Sequence, residues 1–174
     1  VMIVLAVLAI MALMVVPRLT SVMNKNDNNF KLFLTYITKT FDDAFLNDKT
    51  NFLVIHLYDE DPAKIDENEI LNRRNGISVV NLDTEKNNFT ETKSKILKNR
   101  KFGESFKIEK VLFPRGETIS KGYALVPFFP HGFSENAIIH ILADNEEQLS
   151  IRIYKHQKEP EFIKGYAVFE ESKK

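Results

Sequence analysis

The first sixteen residues, Val1 to Val16, are apolar without a break, and the run closes on Pro17 and Arg18. As an α-helix it covers roughly 24 Å, against a hydrocarbon core of roughly 30 Å that takes about 20 residues. The segment therefore reads as most of a membrane-spanning helix. The chain is expected to begin inside a longer hydrophobic stretch, with a few residues upstream of Val1. A secretory signal peptide would carry a basic leader, an h-region of roughly 7–15 residues and a small-residue cleavage site, none of which stands around this run. A buried core helix is the other reading, but a helix apolar on all sides is unusual at the end of a soluble domain. A membrane anchor is the expectation.

Beyond the anchor about 150 residues remain, the size of one modest domain. Its 14 phenylalanines supply large side chains for a core. Basic and acidic residues balance at 24 each, so no global field draws the chain to a polyanion. With no cysteine there is neither a disulfide framework nor a thiolate metal site. The asparagine-rich patch Asn24 to Asn29 has poor helix propensity. After it, Phe30, Phe33, Leu34, Ile37, Phe41, Ala44 and Phe45 fall at helical spacing and predict one apolar stripe. Lys31, Thr35, Lys39, Asp42 and Asp43 lie between them as a solvated face.

A turn-rich stop at Asn47 to Asn51 is followed by a change of period from helix to strand. Strands are predicted at Phe52 to Tyr58, Gly76 to Leu82, Ser105 to Phe113, Tyr123 to Phe129, Ala137 to Ala143, Leu149 to Tyr154 and Ile163 to Phe169. Ile65, Ile70 and Leu71 suit a short helix or packed loop within residues 62–75. Residues 83–100 are polar and poorly patterned, and read as a mobile loop. Short strands with close turn signals argue for an antiparallel sheet.

Two stretches carry a family resemblance. The run Val1-x-Ile3-x-Leu5-Ala6-Val7-Leu8-Ala9-Ile10, with Leu13 and then Pro17-Arg18-Leu19, resembles the N-terminal helix of type IV pilins and type II secretion pseudopilins. In that family a glycine, a cleavage point and a short stretch ending in glutamate precede such a run, so this chain would start just after that glutamate. Pro17 stands where the family has a helix-kinking proline, and a proline inside a helix does remove a backbone bond and crowd the preceding turn. The second stretch, Val126-Pro-Phe-Phe129-Pro130-His-Gly132-Phe-Ser134 followed by Ile138 to Ile141 and Leu149 to Ile153, is similar to H-type minor pseudopilins and their FimT-like pilin relatives. Turn chemistry alone would use the same residues: Pro130 fixes φ, Gly132 permits a positive φ, and Ser134 can bond nearby backbone. Residues 50–120 match no motif of the family.

Little chemistry is legible. His56, His131, His140 and His156 lack paired metal-site spacing and read as surface or strand histidines. No nucleophile elbow, Walker loop or dinucleotide fingerprint appears, so no enzyme activity and no cofactor is expected. Asp59, Glu60 and Asp61, with Asp144, Glu146 and Glu147, offer carboxylates to calcium, an ion that related major pseudopilins bind. Neither run has the spacing of a known calcium loop, and solvated turns are the favoured reading. The triplet Asn88-Phe89-Thr90 is a formal glycosylation sequon of little meaning in a bacterial pilin-like protein. Lys93, Lys95, Lys98, Arg100 and Lys101 put five cations in nine residues, enough to contact a polyanion such as DNA. Glu91 and Glu104 flank them, aromatic residues are not interleaved beyond Phe102, and a solvated loop is favoured over nucleic-acid contact.

The expectation is an α+β pilin fold, a long N-terminal helix packed on an antiparallel sheet. Residues 1–23 form the transmembrane and assembly segment, through Val1, Ile3, Leu5, Val7, Leu8, Ile10, Leu13 and Pro17. Residues 24–174 form a periplasmic domain that includes the second half of the helix. The resemblance implies a structural minor pseudopilin of a type II secretion system, near the tip of the periplasmic pseudopilus. Its implied partners are other major and minor pseudopilins, the inner-membrane assembly platform and, before assembly, the bilayer. A type IV minor pilin for adhesion, motility or DNA uptake has the same features. An unrelated membrane-anchored binding module or enzyme is the alternative of a different class.

Overall fold

A computed structural model describes residues 28–59, 68–83, 88–114 and 116–169. The apolar segment and its candidate residues Val1, Ile3, Leu5, Val7, Leu8, Ile10, Leu13 and Pro17 lie outside this set. So do the carboxylates Glu60 and Asp61. Among the described residues no helix is long and apolar enough to cross a membrane.

Helix α1 occupies residues 28–46. Phe30, Phe33, Ile37 and Ala44 of the predicted stripe are buried along one side of it and Leu34 and Phe41 partly so, and Tyr36, outside the stripe, is buried with them. Phe45 departs from the prediction, being 59% exposed beside Leu46 at 76%. It lies in the helix's last turn, beyond the part that the sheets cover. Thr40, polar but fully buried, is accommodated because its hydroxyl donates to the Tyr36 carbonyl at 2.7 Å. Asp43 ends the helix: its carboxylate accepts from Asn47 and Asn51, each at 2.8 Å, and Lys49 lies 3.0 Å away.

The strands are β1 (Asn51–His56), β2 (Gly76–Asp83), β3 (Asn88–Glu91), β4 (Arg100–Lys101), β5 (Phe106–Leu112), β6 (Thr118–Ile119), β7 (Tyr123–Phe129), β8 (Phe133–Ser134), β9 (Ala137–Ala143), β10 (Glu147–Ile153) and β11 (Glu161–Lys164). They form two antiparallel sheets where the sequence suggested one. The first runs β3-β2-β1-β7-β8, with β4 also paired to β2, and the second runs β11-β10-β9-β5-β6. Strand periodicity tells which side chains face inward, but not which strands share hydrogen bonds, so the split was not readable.

The helix and the inner faces of both sheets share one core. Aromatic contacts mark the joints: Phe30 meets Phe106 edge-on at 4.9 Å, Phe33 stacks on Phe102 at 5.7 Å, and Phe41 meets Phe128 at 6.4 Å. Such pairs contribute about 0.5–1.5 kcal/mol each beyond area burial.

Two further sequence expectations need correction. Residues 83–100 are not simply a loop, because the chain pairs with β2 as β3, leaves it, buries Leu97 in the core and rejoins it as β4. One leucine among lysines gives no periodic signal, yet it anchors the excursion. The last strand was expected at Ile163 to Phe169, but β11 stops at Lys164. Gly165, at φ +89°, turns the chain away from the ladder there.

Candidate functional site

The five cations on the excursion between β3 and β4 are brought to one edge of the first sheet, and all are exposed. Among the described residues none of them forms an ion pair, whereas Glu91, the neighbouring carboxylate, is engaged by Arg73. Besides the burial of Leu97, the patch is tied to α1 by Tyr36, whose hydroxyl donates to the Lys98 carbonyl and accepts from Arg100 Nε at 3.3 Å. The result is a basic strip held beside the helix.

The segment 126–134 does more than turn the chain. Gly132 has φ +76°, and its amide closes the turn onto the Phe129 carbonyl at 3.2 Å. The Phe41 and Phe45 rings lie 3.8 Å from where a Cβ on Gly132 would stand. Ser134 was expected to bond nearby backbone. Instead its amide donates to the Lys155 carbonyl at 2.8 Å and its hydroxyl to Tyr154 at 3.2 Å, linking β8 of the first sheet to the chain leaving β10 of the second. An open cleft of about 340 Å³ lies alongside, lined by Pro114, Pro127, Phe129, Phe133, Glu135 and Lys155 among others. Phe133 stacks on Phe129 at 4.5 Å.

Asn75 is the polar residue that sequence reading missed. It is buried, at φ +46°, and its side-chain nitrogen lies within 3.3 Å of the Phe102, Gly103 and Phe106 carbonyls. Its side-chain oxygen accepts the Ile108 amide at 3.0 Å. One side chain thus ties the start of β2 to β5 across the two sheets. Gly76 follows it for a separate reason, since a Cβ there would sit 2.4 Å from the Arg100 carbonyl oxygen on β4. The Asn-Gly dipeptide was the available signal, a marker of positive φ that falls on the border between the 62–75 segment and the strand predicted from Gly76.

The histidines divide into two kinds. His131 and His156 are exposed, whereas His56 and His140 are buried in strands. His56 Nε2 meets Ser78 Oγ at 2.8 Å, and its Nδ1 has no hydrogen-bond partner among the described residues. Burial, helped by the Arg73 charge, lowers its pKa to about 4. His140 Nε2 donates to the Ala167 carbonyl at 2.6 Å, and its Nδ1 likewise has no partner among the described residues. Burial also lowers the pKa of His140.

Among the described residues no three His, Asp or Glu groups come together as a metal site. Asp144 and Glu146 form a single 3-10 turn, with Glu147 opening β10. Asn88, Phe89 and Thr90 of the sequon lie in β3, where the Asn88 side chain accepts from Asn68 at 2.7 Å.

A long helix laid against two antiparallel sheets, with the second sheet closing the chain, defines a pilin-type α+β protein. Two solved structures of the minor pseudopilin EpsH, from the type 2 secretion system of Vibrio cholerae, have this fold. One matches with a TM-score of 0.52 and 12% identity, over 80% of this chain and 97% of that chain. The other matches with a TM-score of 0.56 and 9% identity, over 83% and 99%. No family model and no curated protein sequence matches the chain.

Proposed function

We propose that this chain is a structural, non-catalytic minor pseudopilin of a type II secretion system, inserted at or near the tip of a short periplasmic fibre. The observation that carries the reading is the order of parts: an apolar run ending in Pro17, an amphipathic helix, and a domain that matches nearly the whole of a minor pseudopilin. The mechanism rests on burial. Before assembly the apolar segment is held in the inner membrane by a single pass, with the domain in the periplasm. It leaves the bilayer when neighbouring pseudopilin helices, equally apolar, cover the same surface, assisted by the inner-membrane assembly platform. The solved relatives come from a secretion system, which favours this reading over a type IV minor pilin of the same fold.

Fractionation tests the anchor. The full chain is expected in the inner-membrane fraction, and a chain lacking residues 1–23 is expected as a folded, water-soluble domain. A full chain recovered as soluble monomer, or an insoluble shortened one, would overturn the division at residue 23.

A further inference from the structure

After Gly165 the chain does not leave the domain. It folds back over the outer face of the second sheet and is held there by side chains from three strands. Ser150 of β10 makes two of the bonds: its hydroxyl donates to the Gly165 carbonyl at 2.7 Å and accepts the Ala167 amide at 2.9 Å. His140 of β9 donates to the Ala167 carbonyl, and Arg152 donates to the Val168 carbonyl at 2.9 Å. The Tyr166 ring lies flat on the His140 ring, with centroids 4.4 Å apart and planes 9° from parallel, and its hydroxyl donates to Glu109 of β5. Ser150, His140 and Ile138 are nearly or fully buried although they point away from the core. Val168 itself is 62% exposed, so the strap covers the face without being buried in turn.

We infer that residues 165–169 are a releasable strap over this face, and that protonation of His140 releases it. The neutral ring fits its site: Nε2–H has an acceptor in the strap, and bare Nδ1 needs no partner. A second proton would place a buried N–H at Nδ1 with nothing to receive it, and a new charge among those already present. Those facing groups are Glu109 and Lys110 on β5, Arg152 on β10 and Tyr166 in the strap. The remaining outward residues of β9, Ile138 and Leu142, do not titrate. Lys110 opposes the new charge, whereas Arg152 is offset by Glu161 of β11 at 4.0 Å. Glu109 would favour it, but that carboxylate already receives the Tyr166 hydroxyl, and the Lys110 ammonium lies 5.7 Å from the Tyr166 ring centre. The lowered pKa of His140 agrees in direction, burial outweighing the Ala167 bond and the Glu109 charge, which act the other way. The docked state therefore binds fewer protons than the released one, and docking weakens as pH falls through the ordinary imidazole range. Release would bare an outward sheet face carrying Ser150, His140 and Arg152, polar groups suited to an extended partner backbone.

The test is amide hydrogen exchange in the full-length chain in neutral detergent, with each rate divided by its intrinsic rate at that pH. Protection of the Ala167 amide should fall about tenfold or more between about pH 7.5 and pH 5, while the Ile139 and Ile151 amides of the sheet, and the Gly165 amide that donates to the Gln148 carbonyl, stay protected. His140→Gln keeps a donor for the Ala167 carbonyl but cannot titrate, and should abolish the pH dependence. Flat protection in the wild type, the same fall in His140→Gln, or a joint fall with the sheet amides would each overturn the inference. Should His140→Gln fail to fold, the His140 ring titration followed by NMR takes its place. Its midpoint must coincide with that of Ala167 protection, and a mismatch counts against the strap.

Discussion

The two sheets cover their outer faces by different physics. On the first sheet, Val54, Val80 and Leu71 form a small second core, with Phe52, Ile70 and Phe89 packed on it, so the covering segment around residues 68–75 is held by apolar burial. On the second sheet the cover is the strap 165–169, held by hydrogen bonds from Ser150, His140 and Arg152. Each outer face also buries one strand histidine whose Nδ1 lacks a partner among the described residues. Burial fixes the first cover to the fold, whereas the second is held by bonds that water can replace and by one ring stacked on His140. One sheet thus has a permanent outer layer and the other a removable one.

Breaking the tie between the sheets should have the largest effect. Asn75→Gly keeps the positive φ but removes the side chain that serves three carbonyls and one amide, and is expected to cost at least about 4 kcal/mol in urea unfolding. A cost below about 1 kcal/mol would mean that the sheets are joined by the shared core alone.

The histidine of the permanent layer sharpens the contrast through pH. His56 has a folded pKa of about 4 against an unfolded value of 6.5. The folded state therefore binds fewer protons, and its stability is complete above pH 6.5 and lost as pH falls toward 4. The loss is about 3 kcal/mol across that window. Thermal midpoints measured from pH 7 to 4 should fall in the wild type and fall much less in His56→Asn. Parallel curves would remove His56 as the cause.

The smallest effect belongs to the removable layer. Ser150→Ala deletes two bonds to the strap and should cost about 1 kcal/mol or less globally, while the Ala167 amide loses its exchange protection. A global cost as large as that of Asn75→Gly would mean that the strap is part of the core.

Much of the framework was legible in sequence because its signals are local. Helical spacing located the face of α1, and strand patterning located β1, β2, β5, β7, β9 and β10 to within a few residues. The failures share a cause: each depends on a contact distant in sequence. Leu97 reads as a lone leucine in a basic loop until the helix is beside it. Residues 163–169 read as one strand because their composition is β-like throughout, and only the positive φ at Gly165 separates ladder from strap. Asn75 looks like a turn residue, and its partners lie 27 to 33 positions away. Of the candidate site, the basic residues Lys93, Lys95, Lys98, Arg100 and Lys101 were visible as a run, but their attachment to Tyr36 was not.

Fibre content measures the assembly mechanism most directly. Cells carrying the full chain, or the same chain with Leu8→Glu, are used to prepare pseudopilus fibres, and the amount of this subunit in each preparation is quantified. If apolar burial of the first segment drives assembly, the wild-type chain is found in the fibres and the Leu8→Glu chain is absent. Equal incorporation of the two, or fibres that never contain the wild-type chain, would show that the segment is not the assembly element.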